Sequence, residues 1–231
     1  MEIEVIKKVK GFKGEKFLIH GEPKIGKTTL ANEFPKPLFI ATESGHSHID
    51  CSLLKANSWK LFLEACAVVA KGEHGCETII VDTSDRLVKY CSEQVCKDNA
   101  IGHPADLAMG KGWSLVTEEL DRAIDKLIKL PYTFIFITHS SKENIKTSTG
   151  REYVRWNINI GGKNKNVFTD MCDVILFITH GKNSNGEDVR VLKTQQNPSW
   201  EAGGRGNNLE PEIQFSTPKE AFDKIKEQME A

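Results

Sequence analysis

The chain has 231 residues, with 31 Lys and Arg against 32 Asp and Glu for a formal charge of −1, and is 39% hydrophobic and 27% charged. A chain of this size buries roughly 70% of its unfolded surface, enough for one core without disulfides or metal, so a single domain over 1–231 is expected. The balanced charge excludes a uniformly basic nucleic-acid coat. No run approaches the roughly 18 apolar residues of a membrane helix, and Met1-Glu2-Ile3-Glu4 before Lys7 and Lys8 lacks the apolar stretch of a signal peptide, so a cytosolic protein without membrane association is expected. The six cysteines (Cys51, Cys66, Cys76, Cys91, Cys96, Cys172) are scattered and read as reduced thiols.

Five apolar runs punctuate the chain: Phe17-Leu18-Ile19, Leu38 to Ala41, Ile79-Ile80-Val81, Phe134 to Ile137 and Val174 to Ile178. Continuous apolar strands are buried on both faces, as in a parallel sheet. Helical stripes lie between them: Trp59, Phe62, Leu63, Cys66 and Ala70; then Leu87, Val88, Cys91 and Val95; then Val116, Leu120, Ala123, Ile124 and Leu127. The alternation predicts an α/β fold with a mostly parallel sheet and helices on both faces. Lys182 to Glu187 is turn chemistry leading into Val189-Arg190-Val191-Leu192, an antiparallel hairpin at the C-terminal edge. Thr217, Pro218 and Glu220 open a last helix over 217–230 as N-cap, first helical residue and capping-box partner. Two stretches, 97–113 and 141–170, are predicted as long loops, the second mobile.

Gly21-Glu22-Pro23-Lys24-Ile25-Gly26-Lys27-Thr28, followed by Thr29, fits the phosphate-binding pattern of glycine, four residues and Gly-Lys-Thr, set between a strand and a helical segment. Glycines at both ends let the backbone wrap a polyphosphate, Lys27 reaches the β and γ phosphates, and the Thr28 hydroxyl is placed for Mg²⁺. ATP and Mg²⁺ are therefore the expected ligands. Asp82 closes an apolar strand at the edge where open α/β sheets bind ligands, and is the expected acidic partner of Thr28 toward the metal. Thr83, not Glu, follows it, so the base that positions the attacking water is sought elsewhere. Glu43, ending the second strand at the same edge, is the candidate. Thr138 and His139 end the fourth strand where a γ-phosphate would lie and are candidate sensors.

Over residues 16–215 the chain resembles the RecA-like ATPases encoded by bacteriophages, in particular the RecA-core subgroup of phage single-strand annealing proteins and related phage nucleotide-binding proteins. The residues that carry the resemblance are Gly21 to Thr29 as Walker A, Leu38 to Glu43 as the strand bearing a catalytic glutamate, and Ile79 to Asp82 as Walker B. Met109-Gly110-Lys111-Gly112-Trp113, Phe136 to His139, and Leu192-Lys193-Thr194 through Glu201 to Arg205 and Leu209 add to it, with His139 standing where RecA-type proteins have glutamine. The resemblance implies a RecA-like P-loop core, ATP hydrolysis in DNA recombination and a homo-oligomer, with a single-strand-binding protein as a further partner. It also implies that Lys193 or Arg205 reaches a neighbour's nucleotide, and that nucleic acid is contacted from 141–170.

That segment holds six basic residues against three acidic ones, with Tyr153 and Trp156 interleaved. Basic groups beside aromatic faces suit single-stranded DNA, and Lys142, Lys146, Arg151, Arg155 and Trp156 are the candidate contacts. His46, His48 and Cys51 lie close together but lack the spacing of a metal site. The expectation is a slow ATPase stimulated by single-stranded DNA. The alternatives are a nucleotide-gated adaptor without DNA binding and a small-molecule kinase, for which paired arginines closing over the phosphates are missing.

Overall fold

A computed structural model describes residues 11–206 and 208–231. In chain order the elements are β1 (Lys16–Gly21), α1 (Lys27–Ala31), β2 (Pro37–Ala41), β3 (Ser52–Lys55), α2 (Trp59–Lys71), β4 (Thr78–Asp82) and α3 (Ser84–Asp98). They continue with α4 (Lys111–Ile128), β5 (Thr133–Lys146), β6 (Glu152–Ile158), α5 (Lys163–Thr169), β7 (Val174–Lys182), β8 (Asp188–Lys193), β9 (Gly203–Gly204), β10 (Glu212–Phe215) and α6 (Pro218–Glu230). The sheet runs β10-β8-β7-β1-β5-β4-β2-β3. From β7 to β3 its pairings are parallel, and β8 and β10 join antiparallel at one edge. The mixed edge read from the turn at 182–187 is present.

Period-two alternation divides each buried strand between two cores. Leu18, Ile40, Val81 and Phe136 face the stripes of α2, α3 and α4 and the Val167-Phe168 pair of α5. Phe17, Ile19, Phe39, Ile80 and Ile137 face Leu30 of α1 and Ala221, Phe222 and Ile225 of α6. The result is a three-layer α/β/α sandwich. Ser58 caps α2 by accepting from the Leu61 N–H at 3.2 Å. Thr217 caps α6 by accepting from the Glu220 N–H at 3.2 Å, while the Glu220 carboxylate reaches back to the Ser216 N–H at 2.8 Å. The six cysteines are unpaired, and burial pushes the Cys66 thiol up to about 12.

Neither long loop exists as expected. Residues 141–170 are the distal half of β5, the antiparallel strand β6 and the helix α5, with Lys142 opposite Trp156 and Lys146 opposite Glu152. The polar outer half of β5 alternates only weakly with apolar residues, because this hairpin leaves the body of the sheet, and so carries no strand signal of its own. Between α3 and α4 the chain makes two 3₁₀ turns, Pro104–Asp106 and Ala108–Gly110, and Lys111 to Trp113 form the first turn of α4. Gly112 is required there, since a Cβ would lie 2.1 Å from the Pro104 carbonyl oxygen.

Candidate nucleotide site

Register brings the site together. Gly21 at the end of β1 lies opposite His139 of β5, and Asp82 at the end of β4 lies between Ala41 of β2 and Ile137 of β5. The carboxyl ends of β1, β2, β4 and β5 thus share one rim. A cavity of about 610 Å³ opens there, lined among others by Gly26, Lys27, Thr28, Glu43, Asp82 and His139.

The loop from Gly21 to Thr28 folds back on its own lysine. Lys27 Nζ donates to the carbonyl oxygens of Gly21 at 3.1 Å and Glu22 at 2.8 Å. Burial pushes this ammonium down to about 8, against the opposing pull of Asp82, Asp85 and Glu43. Gly26 has φ 107°, in the left-handed region that favours glycine. Pro23 and Lys24 form the exposed turn, Ile25 is buried in the core beneath it, and the Thr29 hydroxyl donates to the Gly26 carbonyl at 2.9 Å.

The Thr28 hydroxyl donates to Asp82 Oδ2 at 2.8 Å, and His46 Nε2 stands 3.2 Å from the same carboxylate oxygen. A hydroxyl and a carboxylate side by side at the phosphate loop are the hard oxygen donors that Mg²⁺ takes. Thr28 and Asp82 fit that ion and would hold it. Among the described residues no group of three or more His, Cys, Asp or Glu side chains is placed to hold a metal ion, and His46 is buried with its ring 5.1 Å from that of Phe39.

Glu43 accepts from the Thr83 hydroxyl at 2.9 Å, and Thr83 is itself fixed by Thr42, whose hydroxyl donates to the Thr83 carbonyl at 2.9 Å and accepts from its N–H at 2.7 Å. Thr83, which stands where a second acid would follow Asp82, therefore orients Glu43, which lies two residues beyond the end of β2 and not at the strand's last position. His139 Nδ1 lies 2.9 Å from Asp85 Oδ2. That hydrogen bond raises the imidazole above its ordinary range. Burial pushes the Asp85 carboxyl up, but the bond and charge of His139, together with Thr83 and the residue's own backbone N–H, outweigh it and hold the carboxyl below its usual range. Thr138 is fully buried behind the rim.

The remaining candidates lie outside this cavity. Lys142 is 3.2 Å from Glu22 and 4.3 Å over the Trp156 ring, Lys146 pairs with Glu152 at 3.1 Å, and Arg155 faces Glu201 at 3.9 Å. Arg151 is exposed at the hairpin tip. Trp156 is half-buried, with its ring 5.6 Å from Phe177, so it is a packed residue as well as a surface one. Lys193 lies over the Trp200 ring and pairs with Glu212, its side chain only 16% exposed. Arg205 follows β9, which pairs with the start of β7, so it sits at the amino edge of the sheet, opposite the phosphate loop. It contacts the Asp170 carbonyl and Asp173. Neither residue reaches the nucleotide cavity of its own chain.

Arg190, which in the sequence is one residue of a hairpin pattern with no site role, does line the cavity. Its alternation with Val189 and Val191 signals a strand face but not which face, and only the placement of β8 two strands from β1 brings it to the loop.

A protein family described as an AAA domain matches residues 13–206. A curated relative, the SPbeta prophage-derived uncharacterized protein YorG of Bacillus subtilis, is 28% identical over 193 residues, which are 80% of this chain and 56% of that protein. The chain thus spans about half the length of this relative. The crystal structure of a KaiC-like protein from the archaeon Pyrococcus horikoshii superposes with a TM-score of 0.50 at 13% identity, covering 90% of this chain and 88% of the other, which is a likeness of fold. With the family match spanning the phosphate loop, both acid-bearing strands and the hairpin, the chain belongs to the AAA domain family of P-loop ATPases.

Proposed function

We propose that this chain is an ATPase of phage DNA recombination that couples its nucleotide state to single-stranded DNA. The observation that carries the reading is the continuity of β5, one 14-residue strand that holds His139 opposite Gly21 and runs on into the basic hairpin. A change at the phosphate end of that strand has a direct backbone route to Lys142, Lys146 and Arg151. The prophage origin of the curated relative supports the phage setting.

In this reading Lys27 exchanges its bonds to the Gly21 and Glu22 carbonyls for β and γ phosphate oxygens, which lets the loop close on the polyphosphate. Bound Mg²⁺ supplies charge neutralisation at those phosphates. Glu43, held by Thr83, accepts the proton of the attacking water, and in-line displacement leaves ADP and phosphate. His139 donates toward the γ-phosphate side while Asp85 fixes its ring. The oligomer is head-to-tail, because Arg205 lies on the sheet edge opposite the phosphate loop and only a heterologous contact brings those two edges together. Arg205, not Lys193, is the residue exposed for that role.

One observation favours the adaptor alternative. The hairpin cations Lys142, Lys146 and Arg155 already face carboxylates, which reduces the free charge offered to DNA. ATP turnover with and without single-stranded DNA decides between them. Stimulation of severalfold or more supports the recombination ATPase, and unchanged turnover together with absent DNA binding supports the adaptor.

A further inference from the structure

The guanidinium of Arg190 rests on the phosphate loop itself. A Cβ added at Gly26 would lie 2.7 Å from Arg190 Nη1 and 3.3 Å from Thr29 Oγ1, so the absence of a side chain at Gly26 makes room for the arginine as well as for the turn. The group is held from two sides: Nη2 donates to the Ser216 carbonyl, and the guanidinium carbon sits 5.0 Å over the Phe215 ring. Lys142, Lys193 and Arg205 each face a carboxylate. Among the described residues Arg190 forms no such pair, and its charge is directed into the cavity that Lys27, Thr28 and Glu43 also line.

Sheet order gives the cavity a polarity. β8, with Arg190, lies on one side of β1, whereas β5, β4 and β2, with His139, Asp82 and Glu43, lie on the other. The reacting end of a triphosphate belongs beside the carboxylates that handle the water and the metal, so its nucleoside end points toward β8. Thr29, one residue beyond the Thr28–Asp82 pair, is the loop residue beside Arg190.

We infer that Arg190 is a nucleotide-binding residue acting within its own chain, gripping the α-phosphate from the nucleoside side of the phosphate loop. The inference rests on the ATPase reading above. A contact to the α-phosphate is common to ATP and ADP and unchanged during attack at the γ-phosphate, so it strengthens binding of both nucleotides equally and leaves the chemical step alone.

The test uses the full chain as wild type, Arg190→Gln, Arg190→Lys and, as a control, Lys27→Ala, with ATP and ADP affinities, saturating turnover and thermal unfolding measured for each. Arg190→Gln is expected to weaken ATP and ADP alike by about tenfold or more and to change saturating turnover by less than about threefold, with Arg190→Lys recovering part of the loss and the unfolding temperature lowered by no more than about 2–4 °C for the lost contacts to Ser216 and Phe215. Weakening of ATP alone with a collapse of turnover would place Arg190 at the γ-phosphate and overturn the inference, as would wild-type affinities in Arg190→Gln. So would a loss of affinity that tracks a lowered unfolding temperature and is not relieved by lysine, for Arg190 would then only brace Phe215 and Ser216. If wild type and Lys27→Ala bind nucleotide equally, the phosphate-loop reading fails first. If Lys27→Ala loses binding and Arg190→Gln does not, this inference alone fails.

Discussion

The Lys142 ammonium on the β5–β6 hairpin lies 3.2 Å from the carboxylate of Glu22 in the phosphate loop. Both side chains are more than a third exposed, so the pair is worth about 1 kcal/mol or less and is readily exchanged for a phosphate of a nucleic acid. Neutralising Lys142, Arg151 and Arg155 together is expected to weaken single-strand binding and to lower the log–log salt slope by about 0.7 per lost contact. Trp156→Ala is expected to leave that slope intact while costing about 1–3 kcal/mol of binding. It also lowers the unfolding temperature, because the indole packs 5.6 Å from Phe177. Titrations at several salt concentrations check both, and an unaltered slope in the triple variant removes the hairpin from the DNA site.

The His139–Asp85 pair sets a pH window. His139 is raised from an ordinary value of 6.5, so its contribution is complete below that value and lost as pH rises through the folded value. Asp85 is lowered from 3.8, so its contribution is complete above that value and lost as pH falls through the folded one. Asp85→Asn is therefore expected to destabilise most between pH 3.8 and 6.5, with the difference from wild type shrinking on either side. Partial solvent screening limits the effect to about 1 kcal/mol, or roughly 2–4 °C in unfolding temperature for a chain of this size. Thermal unfolding of both proteins across pH checks it, and a pH-independent difference contradicts the pairing.

Arg205 acts across a protomer boundary in the proposed head-to-tail assembly. Glu43→Gln and Arg205→Ala protomers, each slow alone, are expected to regain turnover when mixed, because one interface in the mixture combines an intact glutamate with an intact arginine. No recovery in assemblies shown to contain both variants counts against the role in trans.

The phosphate loop, the five core strands and the helical stripes were legible because each is a local pattern: residue spacing for the loop, runs of apolar residues for strands buried on two faces, and a 3.6-residue period for helices. The edge strand β3 is largely exposed, and the outer half of β5 lies off the main sheet, so neither presents a buried run: no element is expected over 52–55, and the outer half of β5 falls within the loop expected over 141–170. Asp82 and Glu43 could be placed at one rim because Asp82 closes an apolar strand and Glu43 follows another by two residues. The orienting role of Thr83 and the approach of Arg190 to Gly26 depend on contacts 40 residues or far more apart in the chain, which no local pattern encodes. The resemblance implies one role for Lys193 or Arg205, yet β8 pairs with Phe177 to Lys182 of β7 and β9 with Val174 and Ile175, which carries the two residues to different levels of the sheet.

If ATP is hydrolysed by a water that Glu43 positions at the phosphate loop, Glu43→Gln removes the base and little else. Glutamine keeps the size and can still engage the Thr83 hydroxyl, but it cannot accept the water's proton. ATP affinity is expected to stay within about threefold of wild type and turnover to fall by roughly 10²-fold or more. Turnover at the wild-type rate in a variant that binds ATP normally would contradict that, and would pass the role of base to the other carboxylate near the rim, Asp85.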